Sequence, residues 1–327
     1  MSAPLVSVLI PCYNAAPWLA ETLESALAQS WPHKEIIVVN DGSIDDSLAI
    51  ARQFAARGVT VIDQPNAGQS AAFNRALAAA RGDYLEFLDA DDLIAPNKLE
   101  TQVGALAAGP AGRVASCRWA RIQTTIADAY FTPSDLWEPF LPPVEWLVRA
   151  WSVHQMMHGA AWLVPHALVR DVGGWQESLS LINDFEFFSR VLLRSLGVVF
   201  CADTCTYYRS GISGSLSGTK SRRAWESAHL SLRLGTARLL AHEDSPRTRA
   251  ACAYEFAAFY YDAYPAVPEL RRDARQRVRA LGCELPPPPG GPKYRIAARL
   301  VGWRLARRLQ IATARLRAQR APAANSS

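Results

Sequence analysis

Long apolar runs and patterned cysteines are both missing from this sequence of 327 residues. No segment offers the ~20 consecutive apolar residues that a membrane-spanning helix needs, and the opening MSAPLVSVLIPCYN lacks the basic start of a signal peptide. The six cysteines form neither a Cys-x-x-Cys pair nor a zinc-spaced cluster with histidines, so free buried thiols are expected. These absences predict a cytoplasmic protein, attached at most to the inner face of a membrane.

Acidic residues are missing from the segment 293–320, which holds one lysine and eight arginines. Because the whole chain carries a formal net charge of +5, its remainder carries −4, and no nucleic-acid partner is expected for that body. The basic segment also holds Trp303 and scattered leucines and isoleucines, a composition that suits peripheral contact with an anionic membrane. Its apolar residues form two helical stripes, however, which suit packing on the body or on a partner equally well.

Neither an internal repeat nor a Gly-x-Gly-x-x-Gly after the first apolar run is present, and the second absence argues against a nicotinamide dehydrogenase. The chain is 50% hydrophobic and 20% charged. A chain of this length and composition can bury a large core in one large domain or two smaller ones.

The first part of the chain alternates between short β-branched runs and Ala- and Leu-rich stretches at helical spacing. Four runs are predicted as buried strands: 6–10, 35–39, 59–62 and 84–88. Helices are predicted between them, with Gly58 and Gly82 at C-cap positions. This alternation predicts a parallel sheet with right-handed crossovers, whose ligands bind beyond the carboxyl ends of the strands.

The later part of the chain has a looser pattern, with further strands predicted over 113–119, 160–164 and 198–209, and helices over 185–196 and 221–282. The stretch PPPPGGP cannot continue a helix and is predicted to be a stiff linker. The expected organisation has four parts: a large domain over 1–220, a helical extension over 221–285, the linker over 286–292, and a basic helix with a disordered tail over 293–327.

Three aspartates, Asp89, Asp91 and Asp92, follow the fourth predicted strand. Carboxylates this close repel one another unless a cation or several hydrogen-bond donors lie among them. A divalent cation that bridges carboxylate and phosphate oxygens fits this end of a parallel sheet. An acidic turn that caps the next helix is the alternative.

Asp41 follows the second predicted strand, in NDGS, where an aspartate is also a common turn or helix-capping residue. Its functional alternative is an acceptor for the imino N–H of a pyrimidine base. Tyr13, after the first strand, could stack on that base or could be an ordinary half-buried aromatic residue.

Four segments in this order, 6–31, 35–47, 64–92 and 173–194, resemble the family 2 glycosyltransferases. The resemblance covers about residues 4 to 210. It implies an α/β fold of the GT-A type, Rossmann-like with a mostly parallel central sheet and flanking helices, followed here by a C-terminal helical region. It also implies an inverting transfer from a nucleoside-diphosphate sugar, UDP-sugar favoured, to a saccharide or lipid-linked acceptor in cell-surface polysaccharide or glycoconjugate synthesis.

The resemblance also implies roles for individual residues. Asp91 would bind Mg²⁺ or Mn²⁺, while Asp92 would either join the metal ligands or cap a helix. Residues expected to contact the nucleotide are Pro11, Tyr13, Asn14, Asp41, Asn66, Gly68, Asn74, Asp89 and Ala90. Phe73 departs from the family, in which an arginine is common at that position.

Asp184 is the catalytic base that the resemblance implies, because its distance after Gly173-Gly174-Trp175 matches the family. Asn183 stands where the family usually has a glutamate, and Asp184 could simply be a helix-start carboxylate. Acceptor contacts are expected from His158, Trp162, Trp175 and Arg209, with core packing as the alternative for the histidine and tryptophans. Gly211 occupies the place of a family histidine, so no histidine metal ligand is expected.

Two alternatives remain at this point. A sugar-nucleotide sensor on the same fold would keep Asp41 and Asp91 but would not need Asp184. A haloacid-dehalogenase-type phosphatase would use Asp89 as its nucleophile, although that class carries its Asp-x-Asp on the first strand.

Overall fold

The computed structural model describes residues 3–155, 158–212, 218–289 and 291–320. The chain divides into two compact units, Met1–Cys252 and Ala253–Ser327. The four-part organisation expected from the sequence stays a prediction.

The first unit is built on an eight-stranded sheet. Its strands are β1 Val6–Cys12, β2 Lys34–Asp41, β3 Val59–Gln64, β4 Tyr84–Phe87, β5 Leu93–Ile94, β6 Val114–Ile122, β7 Leu163–Pro165 and β8 Val198–Arg209. They lie in the order β3-β2-β1-β4-β7-β6-β8-β5. Strands β3, β2, β1 and β4 are parallel, β7 runs antiparallel to both its neighbours, β6 and β8 are parallel, and β5 is antiparallel to β8.

Helices flank the sheet because apolar residues recur at helical spacing; in α1, for example, Leu19, Leu23 and Ala26 are fully buried. The helices of the first unit are α1 Leu19–Leu27, α2 Ser47–Gln53, α3 Gln69–Ala79, α4 Lys98–Ala107, α5 Val144–Ser152, α6 His166–Val172, α7 Asn183–Arg194 and α8 Arg222–His242. Helix α9, Pro246–Asp262, crosses from the first unit to the second. The strands and helices predicted over the first hundred residues are confirmed.

Two predictions of local structure are wrong. Gly82 does not cap a helix, because α3 ends at Ala79; a glycine is needed there since a Cβ would lie 2.6 Å from the backbone nitrogen of Ser7. The stretch 221–282 is not one continuous helical run, because residues 243–245 and 263–267 interrupt it. The tail predicted to be disordered, 321–327, lies outside the described residues.

The second unit contains the end of α9 and the helices α10 Pro268–Ala280, α11 Pro292–Val301 and α12 Trp303–Arg320. The basic segment is therefore two helices, separated at Gly302, whose φ of +77° suits glycine. Trp303 packs against Tyr260, Tyr261 and Tyr264, with ring centroids 5.0 to 5.7 Å apart. At Trp303 the basic segment packs on aromatic side chains of its own unit.

A buried ion pair joins the central strand β4 to α4. The side chains of Glu86 and Lys98 are both 0% exposed, and the ammonium group contacts Glu86 Oε2. Glu86 Oε1 has no hydrogen-bond partner among the described residues. Such a pair offsets its own desolvation only while both charges are present.

All six cysteines are free thiols, and five of them are buried. Among the described helices, none combines the length and the apolar character needed to cross a membrane.

Candidate functional site

The polar residues singled out in the sequence converge on one edge of the sheet. Strands β1, β2 and β4 are parallel neighbours, and the register pairs Cys12 with Asn40. The segments that follow these three strands therefore leave the sheet side by side, as expected for the ligand-binding edge of a parallel sheet.

Asp41 ends β2 and is 2% exposed. Its carboxylate accepts hydrogen bonds from Gln64 Nε2 and from the backbone nitrogens of Ala67 and Gly68, each 2.8 Å long. An ionised carboxylate can accept about four hydrogen bonds, so one acceptor position is left. Asp41 thus shapes the loop before α3 and keeps capacity for one further donor.

Asn66 and Gly68 hold that loop against β2. The Asn66 amide donates to the Asp41 carbonyl at 2.9 Å, and a Cβ at Gly42 would lie 2.6 Å from the Asn66 nitrogen. Gly68 adopts a φ of +93° immediately before α3, a conformation that non-glycine residues rarely adopt. Both residues therefore lie beside Asp41.

The loop after β1 carries an exposed aromatic ring. Tyr13 is 53% exposed, whereas Pro11 is buried within the strand. Asn14, with a φ of +49°, accepts a hydrogen bond from the Ile44 nitrogen at 2.9 Å and donates its own N–H to Ser43. Asn14 therefore fixes the loop that presents the Tyr13 ring.

Gln69, which the sequence analysis missed, links three elements at the site. Its amide donates to Asp89 at 2.8 Å and accepts from Asn183 at 3.1 Å, and Asn183 also donates to Ser70. Gln69 is the first residue of α3 and directly follows the loop held by Asp41. That position in the sequence could have identified it as a site residue. It connects the end of β4 to the start of α7.

Asp184 is the second residue of α7 and is half-buried. Its carboxylate accepts from the Phe185 nitrogen at 2.9 Å. Burial raises the pKa of Asp184, and the charge of Asp184 in turn helps to raise the pKa of Asp89. The two carboxyl groups are therefore close enough to repel each other.

The pKa values of the Asp89 and Asp91 carboxyl groups are both strongly raised. Burial, reinforced by repulsion from Asp92, raises the pKa of Asp91 to about 7 and raises that of Asp89 as well. The Asp91 carboxylate receives no hydrogen bond from another side chain or backbone group among the described residues, while Asp89 receives the one from Gln69. Oxygen ligands with raised pKa values and spare acceptor capacity fit a hard divalent cation such as Mg²⁺ or Mn²⁺.

His158 joins this acidic group from outside the predicted motifs. One ligand atom from each of Asp89, Asp92 and His158 lies within 4.8 Å of the others, so the three could hold a metal ion. His158 Nε2 lies 2.5 Å from Asp92, its Nδ1 lies 2.9 Å from Thr206 Oγ1, and burial lowers its pKa to about 4. At 2% exposure His158 is buried, which agrees with the core-packing alternative, and its contact with the acceptor stays a prediction.

Arg209 is also buried, with a side chain that is 0% exposed. Its guanidinium donates to the carbonyls of Asp91 and Thr124 and to Glu21, and its backbone nitrogen donates to Asp92 at 2.7 Å. Arg209 thus fixes the backbone of the acidic turn, Asp89 to Asp92, and its contact with the acceptor stays a prediction.

Trp162 and Trp175 lie in the hydrophobic core. Trp162 is 1% exposed and stacks on Phe188. Trp175 is 5% exposed and lies between Phe73 and Phe187, with ring centroids 4.6 and 4.1 Å away. This burial agrees with the core-packing alternative for both tryptophans and gives Phe73 a packing role.

Asn74 and Ala90 make structural contacts. The Asn74 amide donates to the Trp175 carbonyl at 2.9 Å and accepts from the Trp175 nitrogen at 2.7 Å, and it also donates to Glu177. Ala90 is buried, and its carbonyl accepts from Thr22. The amide of Asn74 is therefore held against the segment before α7 by Trp175 and Glu177.

Sequence comparison decides the family of the chain. The sequence model described as Glycosyl transferase family 2 matches residues 7–173, which is half of the chain. The chain belongs to this family. Among curated relatives, the glycosyltransferase RT0329 of Rickettsia typhi is 31% identical over 191 residues, and RP339 of Rickettsia prowazekii is 30% identical over 187 residues. These matches cover 58% and 57% of this chain, and 59% and 58% of the relatives, so the chain spans less than two thirds of their length.

Solved structures show the fold of this family 2 member. S. aureus TarS 1–349, in complex with UDP, has a TM-score of 0.63 at 18% identity, over 94% of this chain and 92% of that one. The mannosyltransferase PcManGT of Pyrobaculum calidifontis, in complex with GDP-Man and Mn²⁺, has a TM-score of 0.55 at 20% identity, over 95% and 87%. The expected GT-A fold with a helical C-terminal region is confirmed, and the family assignment sets the phosphatase alternative aside.

Proposed function

We propose that this family 2 member transfers a sugar from a nucleoside-diphosphate sugar to an acceptor hydroxyl and inverts the anomeric configuration. The observation that carries the proposal is the convergence of Asp41, the acidic turn and Asp184 at one edge of the sheet. The fold neighbours bind UDP and GDP-Man, which supports a nucleotide-sugar donor. The resemblance to the family favours UDP-sugar among the possible donors.

The base of the donor would bind between the loops after β1 and β2. The remaining acceptor position of Asp41 suits the imino N–H of a uracil, and the exposed ring of Tyr13 suits stacking on the base. Asn66 and Gly68 support this pocket through their contacts with Asp41. Pro11 and Asn14 position the Tyr13 loop.

The diphosphate would lie beside the acidic turn. Asp91, together with Asp89, would hold Mg²⁺ or Mn²⁺, because His158 and Asp92 already occupy each other's polar atoms. When bound, such an ion offsets the negative charge that develops on the leaving diphosphate. Arg209 and the Asp92–His158 pair keep the acidic turn in place.

Asp184 would take the proton from the acceptor hydroxyl. Burial raises the pKa of Asp184 toward neutral pH. A general base works best when its pKa lies near the pH of the reaction. The deprotonated oxygen forms a bond to the anomeric carbon as the bond to the diphosphate oxygen breaks on the opposite face. A single displacement of this kind inverts the configuration and needs no covalent intermediate.

The acceptor proposed from the family resemblance is a saccharide or a lipid-linked saccharide in cell-surface polysaccharide or glycoconjugate synthesis. A cytoplasmic location, with peripheral contact to a membrane through 293–320, belongs to the same proposal. The exposed apolar side chains of Ile296, Leu300, Leu305 and Leu309 in that segment are compatible with it.

Asp91→Asn tests the proposed donor and metal site. We expect the variant to bind nucleoside diphosphate more weakly than wild type when Mn²⁺ is present, by about tenfold or more, because one charged ligand of the ion is lost. Calorimetric titration with and without EDTA measures this, and chelation should erase the difference. Asp203→Asn, on the exposed part of β8, is the matched control. Equally tight nucleotide binding by Asp91→Asn and the wild type in Mn²⁺ would overturn the metal assignment.

A further inference from the structure

The second unit contains a cavity of about 300 Å³ that belongs to no part of the proposed transferase site. It is formed by the end of α9, by α10 and by α12. Five arginines line it: Arg271, Arg272, Arg275, Arg304 and Arg308. Tyr260 and Tyr264 supply aromatic walls.

Arg271 is the buried member of this arginine cluster, at 8% exposure. Its guanidinium carbon lies 4.6 Å from the ring centroids of both Tyr260 and Tyr264, and its Nε donates to the Tyr260 carbonyl at 2.9 Å. Its buried Nη2 has no hydrogen-bond partner among the described residues. An unpaired buried donor of this kind is costly, and an oxygen-rich ligand in the cavity would satisfy it.

The other four arginines of the cluster also lack counter-charges. No ion pair with an acidic side chain is found for Arg272, Arg275, Arg304 or Arg308 within the part of the chain that the structure describes. Two neighbouring arginines outside the cavity behave differently. Arg277 pairs with Asp273 at 2.6 Å, and Arg307 pairs with Asp262 at 3.7 Å. Positive charge is therefore left uncompensated around the cavity.

We propose that this arginine cluster binds a phosphate group, carried either by the headgroup of a lipid or by a free phosphate compound. Planar guanidinium groups match phosphate oxygens through paired hydrogen bonds, and several converging guanidiniums favour an anion with more than one negative charge. The site consists wholly of residues of the second unit. It therefore shares no residue with the proposed donor site, which belongs to the first unit.

A double variant tests the site. Arg275→Ala/Arg308→Ala removes two exposed charges that line the cavity, and Arg279→Ala/Arg299→Ala removes two exposed charges of the same unit elsewhere. Binding of pyrophosphate is measured by calorimetry in EDTA, which prevents metal-dependent binding at the donor site. The cavity variant should bind at least about tenfold more weakly than wild type, whereas the control should stay within about twofold. Melting temperatures confirm that both variants fold.

Vesicle flotation identifies the source of the phosphate group. The probes are phosphatidylcholine vesicles with and without phosphatidylglycerol, in the presence and absence of competing pyrophosphate. In one outcome, the wild type binds the anionic vesicles, and that binding is lost both in excess pyrophosphate and in the cavity variant. This result supports the site and assigns it to a lipid headgroup. Pyrophosphate binding without vesicle binding supports the site and assigns it to a free ligand. Equal losses in the two double variants, or no binding of either probe by the wild type, would overturn the proposal.

Discussion

Replacement of Asp184 by asparagine should lower sugar transfer by ~10²–10⁴ and leave donor affinity within about twofold, the pattern for loss of a general base. The amide keeps the shape of the side chain at the start of α7 but cannot accept a proton. Asp184 is proposed to act on the acceptor alone. Donor affinity by calorimetry and transfer rate must be measured on one preparation.

Asp171→Asn is the matched control, because it makes the same chemical change at an exposed carboxylate of α6 that pairs with Arg194. Glu186 is a poor substitute base: it is 2% exposed, and its two oxygens accept from Arg190 at 2.8 and 2.9 Å. Wild-type transfer by Asp184→Asn would mean that another group is the base. Loss of donor binding would make Asp184 structural, and a wild type that binds donor but never transfers sugar would favour the sensor alternative.

Replacement of Glu86 by leucine should destabilise the fold by about 3–5 kcal/mol at pH 7, the cost of breaking a buried ion pair. The variant would leave the ammonium of Lys98, which is 0% exposed, without its counter-charge. Denaturant unfolding at pH 7 measures the loss.

The double variant Glu86→Leu/Lys98→Met is the control for that experiment. It removes both charges and keeps apolar volume, so most of the lost stability should return. If the double variant is as unstable as the single one, packing around β4 is responsible and the ion pair is not.

The parallel half of the sheet was predictable because its signals are local. Each of the first four strands is a short β-branched run followed by a helix with its own apolar face, and right-handed crossovers restrict how such units assemble. In the mixed half, strands were predicted over 113–119, 160–164 and 198–209, but their pairing was not predictable. β5 has two residues and pairs antiparallel with β8, more than a hundred residues later, and no local pattern specifies that pairing.

The same distinction applies to the site. The acidic turn and Asp41 were predictable because their residues follow strands whose ends share an edge. Arg209 donates to Asp92 across a sequence separation of 117 residues and His158 contacts it across 66, so their supporting roles arise only in the folded chain. The sequence left both core packing and acceptor contact open for Trp162 and Trp175, since an aromatic residue in a core and one in a sugar pocket have the same local sequence signal.

Crystals grown with Mn²⁺ and the nucleoside diphosphate that most raises the melting temperature test the proposed site most directly. Anomalous diffraction should show one Mn²⁺ ion bound by the Asp91 carboxylate and by diphosphate oxygens, with the base between Tyr13 and Asp41 and with Asp184 facing the open side of the diphosphate. An ion held by Asp92 and His158 without Asp91, or a nucleotide bound away from Asp41, would contradict the account.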